Sequence, residues 1–329
     1  MTDKLKTLEQ LDVASTTDIG SASWGGQTDG IGSVMGSTWS QKIIFDAQPD
    51  RVLSKYFLEF TDLMGNNDVT MVIPKIGDVD LMGGRASSAE GATRVMTSFD
   101  TADNITVSLT SADVKLGGAG ISFETASATR VSIVEMAHQQ LVRQYLETIE
   151  TDANSILYGS STTNLIYGGD ATSTATLETG DVITVDKIID MKIELQKDNF
   201  GKKPGDAVIF VHPTQFKQLL KSSQFTNAAE FGGNSVVSKG QIQEYVGVII
   251  EVSTLITAAT TWGAGAATSG HYSFMIDPSA AAGIVWKEKA KVKVVTEDDE
   301  RVHKVLLDAW YKMTVINADA ICIGYFADV

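Results

Sequence analysis

The stretch 207–252 opens AVIFVHPTQFKQLLKSSQF and closes, after a loop, with KGQIQEYVGVIIEV. Residues 207–211 are an apolar run of strand length. His212-Pro213 ends that run, because proline has no N–H to give a central strand while its fixed φ suits the first turn of a helix. Phe216, Leu219 and Leu220 then recur at helical spacing. Residues 239–245 predict a second short helix closed by Gly247, and 248–252 a second apolar strand. The unit therefore reads strand, HP-initiated helix, loop, small helix ending in Tyr-x-Gly, strand.

Upstream, 182–200 predicts a helix with Ile188, Ile189, Met191, Ile193 and Leu195 at core spacing, joined to residue 207 through the loop 201–205. The clearest helix spans 132–157. Ser132 and Glu135 have capping-box spacing, and Val134, Ala137, Leu141, Tyr145, Ile149, Ala153 and Ile156 form one apolar stripe. At about 1.5 Å per residue it is on the order of 40 Å long, and Gly159 is placed to stop it. Residues 68–76 and 104–110 alternate as strands, with Val69, Met71, Ile73 and Ile105, Val107, Leu109 on their apolar faces. The polar stretch 77–103 between them is longer than compact domains usually hold, so it either binds something or lacks fixed structure. Trp39, Ile43, Ile44 and then Val52, Leu53, Phe57 predict short amphipathic helices interrupted near Pro49. Residues 1–38 carry too few large apolar side chains to offset chain entropy locally: they are a free terminus or an arm that orders on a neighbour. Downstream, a Thr/Ala/Gly-rich loop (254–270) precedes a strand at 272–276 ended by Asp277-Pro278, and 280–329 read as strands alone.

The chain has 329 residues, enough for one large or two modest domains, with 43% hydrophobic and 20% charged residues. Its 41 acids against 26 bases give a formal charge of −15, which argues against a general nucleic-acid binder but suits a container whose wall must not trap nucleic acid. Cys322 is the only cysteine, so no intramolecular disulfide and no cysteine-based zinc site can form. The opening MTDKLKTLEQLDVA has no signal-peptide core and no run approaches about 18 apolar residues, so a soluble protein made in a cytoplasm is expected.

The element order of 207–252, and the hairpin followed by a long helix, resemble the major capsid proteins of tailed viruses, with their HK97-type shell fold. The resemblance covers roughly residues 39–326. It implies a mixed α/β (α+β) fold in which 1–48 are an N-terminal arm and 66–122 an extended E-loop hairpin. Residues 49–65, 123–183 and 278–329 would make a discontinuous P domain with a spine helix at about 132–157, and 184–277 the A domain. The function implied is a head protein that self-assembles into an icosahedral shell enclosing double-stranded DNA in the virion, assembled in the host cytoplasm. Its implied partners are itself, in pentamers and hexamers, a portal, a separate scaffolding protein and DNA held without sequence readout, with no membrane. An encapsulin-like compartment for protein cargo shares this fold and is the nearest rival. A β-rich adhesive or surface protein is the rival from another class, and the long helix argues against it.

No catalytic constellation, cofactor site or metal site is legible. His138, His212, His271 and His303 never fall at ligand spacing, there is no HExxH or GxSxG, and the glycine clusters at 30–36 and 201–205 fail the phosphate-loop patterns. No enzymatic activity is expected. The sharper patterns are charged. Lys287, Lys289, Lys291 and Lys293 alternate, so a regular strand projects all four from one face, opposite Glu288, Ala290, Val292 and Val294. Glu297, Asp298, Asp299 and Glu300 follow at a turn. These groups pair head to tail between copies, or the lysines line an inner surface against DNA, or they guard a sheet edge beside a solvated turn. Within the hairpin, Arg85 and Arg94 bracket Glu90, and arginine's planar fork suits a carboxylate on another subunit, with Glu135, Glu147 and Glu150 of the long helix as acceptors.

Overall fold

A computed structural model describes residues 51–75, 104–128, 133–222, 244–262 and 268–328. One compact unit spans Ala47–Phe123 and Val134–Val329; a smaller one comprises Met1–Asp46 with Glu124–Ile133, of which only the residues of one short helix and Ile133 are described. In chain order the elements are β1 (Leu58–Phe60), β2 (Thr70–Ile73), β3 (Ile105–Ser108), β4 (Val114–Ser122), α1 (Phe123–Ala128), α2 (Ile133–Tyr158) and β5 (Leu165–Tyr167). Then follow α3 (Val185–Lys197), β6 (Ala207–Val211), α4 (Pro213–Lys221), β7 (Glu244–Tyr245), β8 (Val248–Val252), β9 (Ala258–Trp262), β10 (Thr268–Ile276), β11 (Ala282–Glu297), β12 (Val302–Val315) and β13 (Ile321–Ala327). No described helix is long and apolar enough to cross a membrane.

The apolar run at 207–211 is the strand β6, and every residue of it is buried. Alternate side chains leave a strand on opposite faces, and here both faces are covered. Val208 and Phe210 join a core with Ile149, Ala153 and Leu157 of α2, while Ala207, Ile209 and Val211 join a second core with Ile188, Met191 and Leu195 of α3 and Leu219 of α4. β6 thus lies inside a seven-stranded sheet ordered β5-β13-β10-β6-β8-β7, with β9 paired to β10. Truncating Phe210 to Ala at this position costs about 3–5 kcal/mol. α4 starts where the sequence places it: Pro213 occupies its first turn, and His212 caps it by accepting from the Thr214 N–H at Nδ1. The Gln215 carboxamide oxygen accepts in return from the His212 N–H.

The second sheet is four-stranded, β1-β11-β12-β4, built on the long β11–β12 hairpin. Its inner face contributes Ile284, Trp286, Ala309, Tyr311 and Met313 to the same core that α2 enters with Ile149, Ala153 and Leu157. α2 ends at Tyr158, one residue beyond the expected end, where the Gly159 N–H still donates to the Ser155 carbonyl. β2 and β3 form a separate two-stranded ribbon, with Met71, Ile73, Ile105 and Val107 over Val285.

Several local expectations are corrected. Residues 114–122, placed in the extended hairpin by sequence, are the strand β4 and pair along their whole length with β12. The chain end does not return only to the four-stranded sheet: β13 sits between β5 and β10 in the seven-stranded one. The 254–270 loop contains β9 and the start of β10. Glu244 and Tyr245, read as the end of a helix, pair as a strand with Ile249 and Val248 through a turn at Val246 (φ 51°) and Gly247 (φ 68°). Val52–Phe57 yields only the 3-10 turn Ser54–Tyr56. The arm 1–48, the stretch 77–103, Ser132 and the predicted helix at 239–243 lie outside the described residues.

Candidate subunit-contact surface

The β11 strand carries the lysines, and its register changes what they do. Trp286 opposes Tyr311, Glu288 opposes Trp310 and Lys291 opposes Asp308, so two extra residues are accommodated along this stretch. Each bulge sets two residues against one and turns the following side chains to the other face. Past the second bulge, Lys291 and Lys293 stand opposite Asp308 and Leu306, on the same side as Glu288 opposite Trp310. The expected four-lysine face with Glu288 behind it does not exist.

Each lysine has its own surroundings. The Lys287 ammonium donates to the backbone carbonyls of Leu63 (3.3 Å), Asp68 (2.8 Å) and Asn66, tying down the loop before β2. Lys289 faces Glu59 at 3.5 Å and lies 5.9 Å from the Trp286 ring centroid. Lys291 pairs with Glu288 at 2.6 Å, and Lys293 stands 3.9 Å from Asp308. The Lys291 ammonium, bonding to the Glu288 carboxylate, holds that acid below its ordinary range. These are exposed pairs, screened by solvent, and each adds little to stability.

At the hairpin tip, Lys304 reaches back to Glu297 at 2.5 Å and to Glu300 at 2.8 Å. That two-carboxylate clasp raises the Lys304 pKa, and its hydrogen bond lowers that of Glu300. Arg301 takes a left-handed backbone (φ 53°) to close the turn. Asp298 and Asp299 are exposed, and neither has an ion pair among the described residues.

On α2 the three glutamates separate. Glu135 is exposed and Glu147 half-buried, and both stay open to a partner. Glu150 is fully buried and is removed from the candidate contacts. Its carboxylate accepts from the Leu53 N–H at 2.7 Å, the Ser54 N–H at 3.0 Å and the Ser54 hydroxyl. It anchors the segment before β1 to the helix, which the apolar stripe alone did not reveal. Arg85, Glu90 and Arg94 lie outside the described residues.

Two groups were not legible as partners. His212 and His271, far apart in sequence, stack with ring centroids 3.6 Å apart and planes at 3°. His271 Nδ1 sits 2.6 Å from an Asp328 carboxylate oxygen, whose other oxygen accepts from the Thr214 hydroxyl at 3.0 Å. Burial, and then the neighbouring His271, lower the His212 pKa, with Asp328 opposing. Cys322 is buried in the second core, and burial raises its thiol pKa far above the ordinary range. Among the described residues no group of three or more His, Cys, Asp or Glu is placed to hold a metal ion.

A model of the phage capsid protein family matches residues 110–323, which run from just before β4 into β13. No curated protein matches the sequence. The structure resembles the capsid asymmetric unit of cyanophage Pam1 with a TM-score of 0.71 and 17% identity, covering 90% of this chain and 97% of that one. The capsid of cyanophage P-SCSP1u gives a TM-score of 0.70 at 12% identity over 94% and 98% of the two chains. The SrpI encapsulin of Synechococcus elongatus is also similar, at 0.56 and 9% identity over 90% and 94%. At such identities these likenesses are of fold.

Proposed function

The chain belongs to the phage capsid protein family and is a major capsid protein of HK97-type fold, and from that premise we propose that many copies close an icosahedral shell around double-stranded DNA. The observation that carries this reading is the family match over 110–323, which spans α2 and most of both sheets. In this reading the seven-stranded sheet with α3 and α4 is the A domain, and the four-stranded sheet with α2 as spine helix is the P domain. The β2–β3 ribbon is the base of an E-loop completed by 77–103, and 1–48 are the arm. The neighbour in the shell is another copy. Glu135, Glu147 and the charges of the β11–β12 hairpin then face it, and Arg85, Glu90 and Arg94 act from the E-loop.

The contents follow from charge. A subunit at a formal −15 is on balance repelled by phosphate, so packaged DNA is enclosed without being bound tightly or read. A portal for filling and a separate scaffolding protein for curvature complete the set of partners, with assembly in the host cytoplasm. The encapsulin reading differs only in cargo, and its fold likeness, at a TM-score of 0.56, is lower than that to the two cyanophage capsids.

Negative-stain electron microscopy of the purified chain at near-neutral pH and moderate salt tests the proposal. Closed shells, or rings of five and six subunits, are expected, alone or on co-expression with a scaffold. Particles that remain at about 35 kDa under both conditions would refute it. Copurifying DNA supports the viral content, and copurifying enzyme the encapsulin one.

A further inference from the structure

We propose that the cleft at the β11 bulges receives the acidic hairpin tip of a second copy of this chain, with Asp298 and Asp299 meeting Lys289 and Lys291 at its rim. The inference rests on the shell reading above and identifies one contact within it.

The cleft is a cavity of about 490 Å³ walled by Met64, Trp310 and the bulged run from Lys287 to Lys291. Its floor charge is unbalanced: the Lys287 ammonium is held by the carbonyls of Leu63, Asn66 and Asp68, which are dipoles and not carboxylates. At the rim, Lys289 is 53% exposed and meets its acid, Glu59, only at 3.5 Å. Lys291 shares one carboxylate, Glu288, and is 59% exposed. Beside these cations, Met64 is 40% exposed and gives the cleft an apolar wall. The bulges shape this site: they bring Lys291 to the side of the strand that carries Glu288, while Lys289 lies beside Glu59 and the Trp286 ring.

The tip is its complement. Lys304 pairs with both Glu297 and Glu300, whereas Asp298 and Asp299 are exposed at the point of the hairpin and have no ion pair among the described residues. The tip cannot fill its own cleft. Residues 289 and 299 sit on one continuous hairpin, and about 3.3 Å per residue puts them on the order of 30 Å apart. Only another copy can bring acids and lysines together. Donor and acceptor surfaces on one chain are then different patches, a heterologous contact that closes into rings. Opposite charges at such a contact set register and orientation more than affinity.

Charge exchange tests the pairing. Asp298→Lys with Asp299→Lys is expected to lower the yield of assembled particles about ten-fold while the unassembled subunit keeps its melting temperature, since the tip is exposed. Adding Lys289→Glu and Lys291→Glu to the same chain should restore the yield to within about two-fold of the parent. Unchanged yield in the first variant, or no restoration in the second, overturns the contact. A cysteine pair gives an independent reading: with Lys289→Cys and Asp299→Cys, oxidised particles should run as a ladder beyond dimer on a non-reducing gel. Native Cys322 is buried and stays out of the reaction. Intact particles without a ladder overturn the contact and leave the shell reading standing. Loss of DNA from Lys289→Glu/Lys291→Glu particles of normal yield would assign these lysines to nucleic acid instead and likewise overturn it. Failure of the unsubstituted chain to assemble under any condition strikes at the shell reading itself.

Discussion

At the scale of single residues, one buried and one half-buried polar group bear more weight than the surface charges. Glu150 is the only described acid of α2 that is fully buried, and its two oxygens satisfy the amides of Leu53 and Ser54. Glu150→Ala would leave both N–H groups buried without an acceptor, which costs about 3 kcal/mol. Urea unfolding of the unassembled subunit measures this, and a loss under about 1 kcal/mol would show that the segment before β1 is held by Leu53 and Phe57 packing instead. His212 makes the opposite kind of prediction, one of pH. Burial and His271 hold it neutral in the folded state, below its ordinary pKa. The unfolded chain therefore takes up a proton first as pH falls through about 6.5. Stability from this site is complete above that pH and declines below it. His212→Asn keeps a capping acceptor for Thr214 but cannot titrate, so its stability should fall less between about pH 8 and pH 5 than that of the parent. Equal losses would place the pH sensitivity elsewhere, with the carboxylates.

At the scale of elements, the β7–β8 turn shows a mismatch between residue and geometry. Both central residues have positive φ, as a two-residue hairpin turn requires, and Gly247 suits this while Val246 does not. Val246 is 49% exposed, so its side chain gives little burial in return. Val246→Asn should stabilise the subunit by about 1 kcal/mol, read as a shift of the denaturation midpoint at unchanged slope. Gly247→Ala should do the reverse, because its added carbon would sit 2.9 Å from Pro204 Cα. No gain from the first variant would mean that the turn relaxes without strain. The same contrast explains what the sequence could reveal. β6, α4, β8, α2 and α3 were legible because each couples a hydrophobic period to a start or stop signal, as at His212-Pro213 and Gly159. β4 was not, because Gly117, Gly118 and Gly120 erase its alternation; yet Gly117 is small for a reason, since an added carbon would lie 3.3 Å from Leu141. The β11 bulges are equally silent in sequence, as they exist only in the count of one strand against its partner. Strict alternation does not run across them, so the four lysines do not share one face. The His212–His271 stack depends on β6 and β10 pairing, and no spacing rule reports that.

At the scale of the whole molecule, the decisive quantity is charge seen at different distances. Each subunit carries a formal −15, so copies approaching one another repel before any local contact forms. That repulsion is long-ranged and yields to salt, since the screening length falls from about 30 Å at 0.01 M to about 8 Å at 0.15 M. The hairpin charges are different in kind. Lys289, Lys291, Asp298 and Asp299 interact only on contact, within about 4 Å, and keep most of their attraction at 0.15 M. At about 1 M the screening length is near 3 Å, and exposed ion pairs lose most of what they contribute. Assembly should therefore pass through a maximum as salt is raised: weak at about 0.01 M, strongest near 0.15 M and weaker again at about 1 M. Light scattering of the purified chain across this series measures it directly. A yield that rises steadily to 1 M would instead identify the subunit contacts as apolar, because excluded salts strengthen burial of apolar surface and leave the monopole repulsion fully screened. The variant with Asp298→Lys, Asp299→Lys, Lys289→Glu and Lys291→Glu has the same net charge as the parent. It should trace the same maximum, whereas Asp298→Lys/Asp299→Lys alone, though less negative overall, should assemble poorly at every salt concentration. That last comparison separates the two scales of charge, for a subunit limited only by its net −15 would assemble better when two acids become lysines.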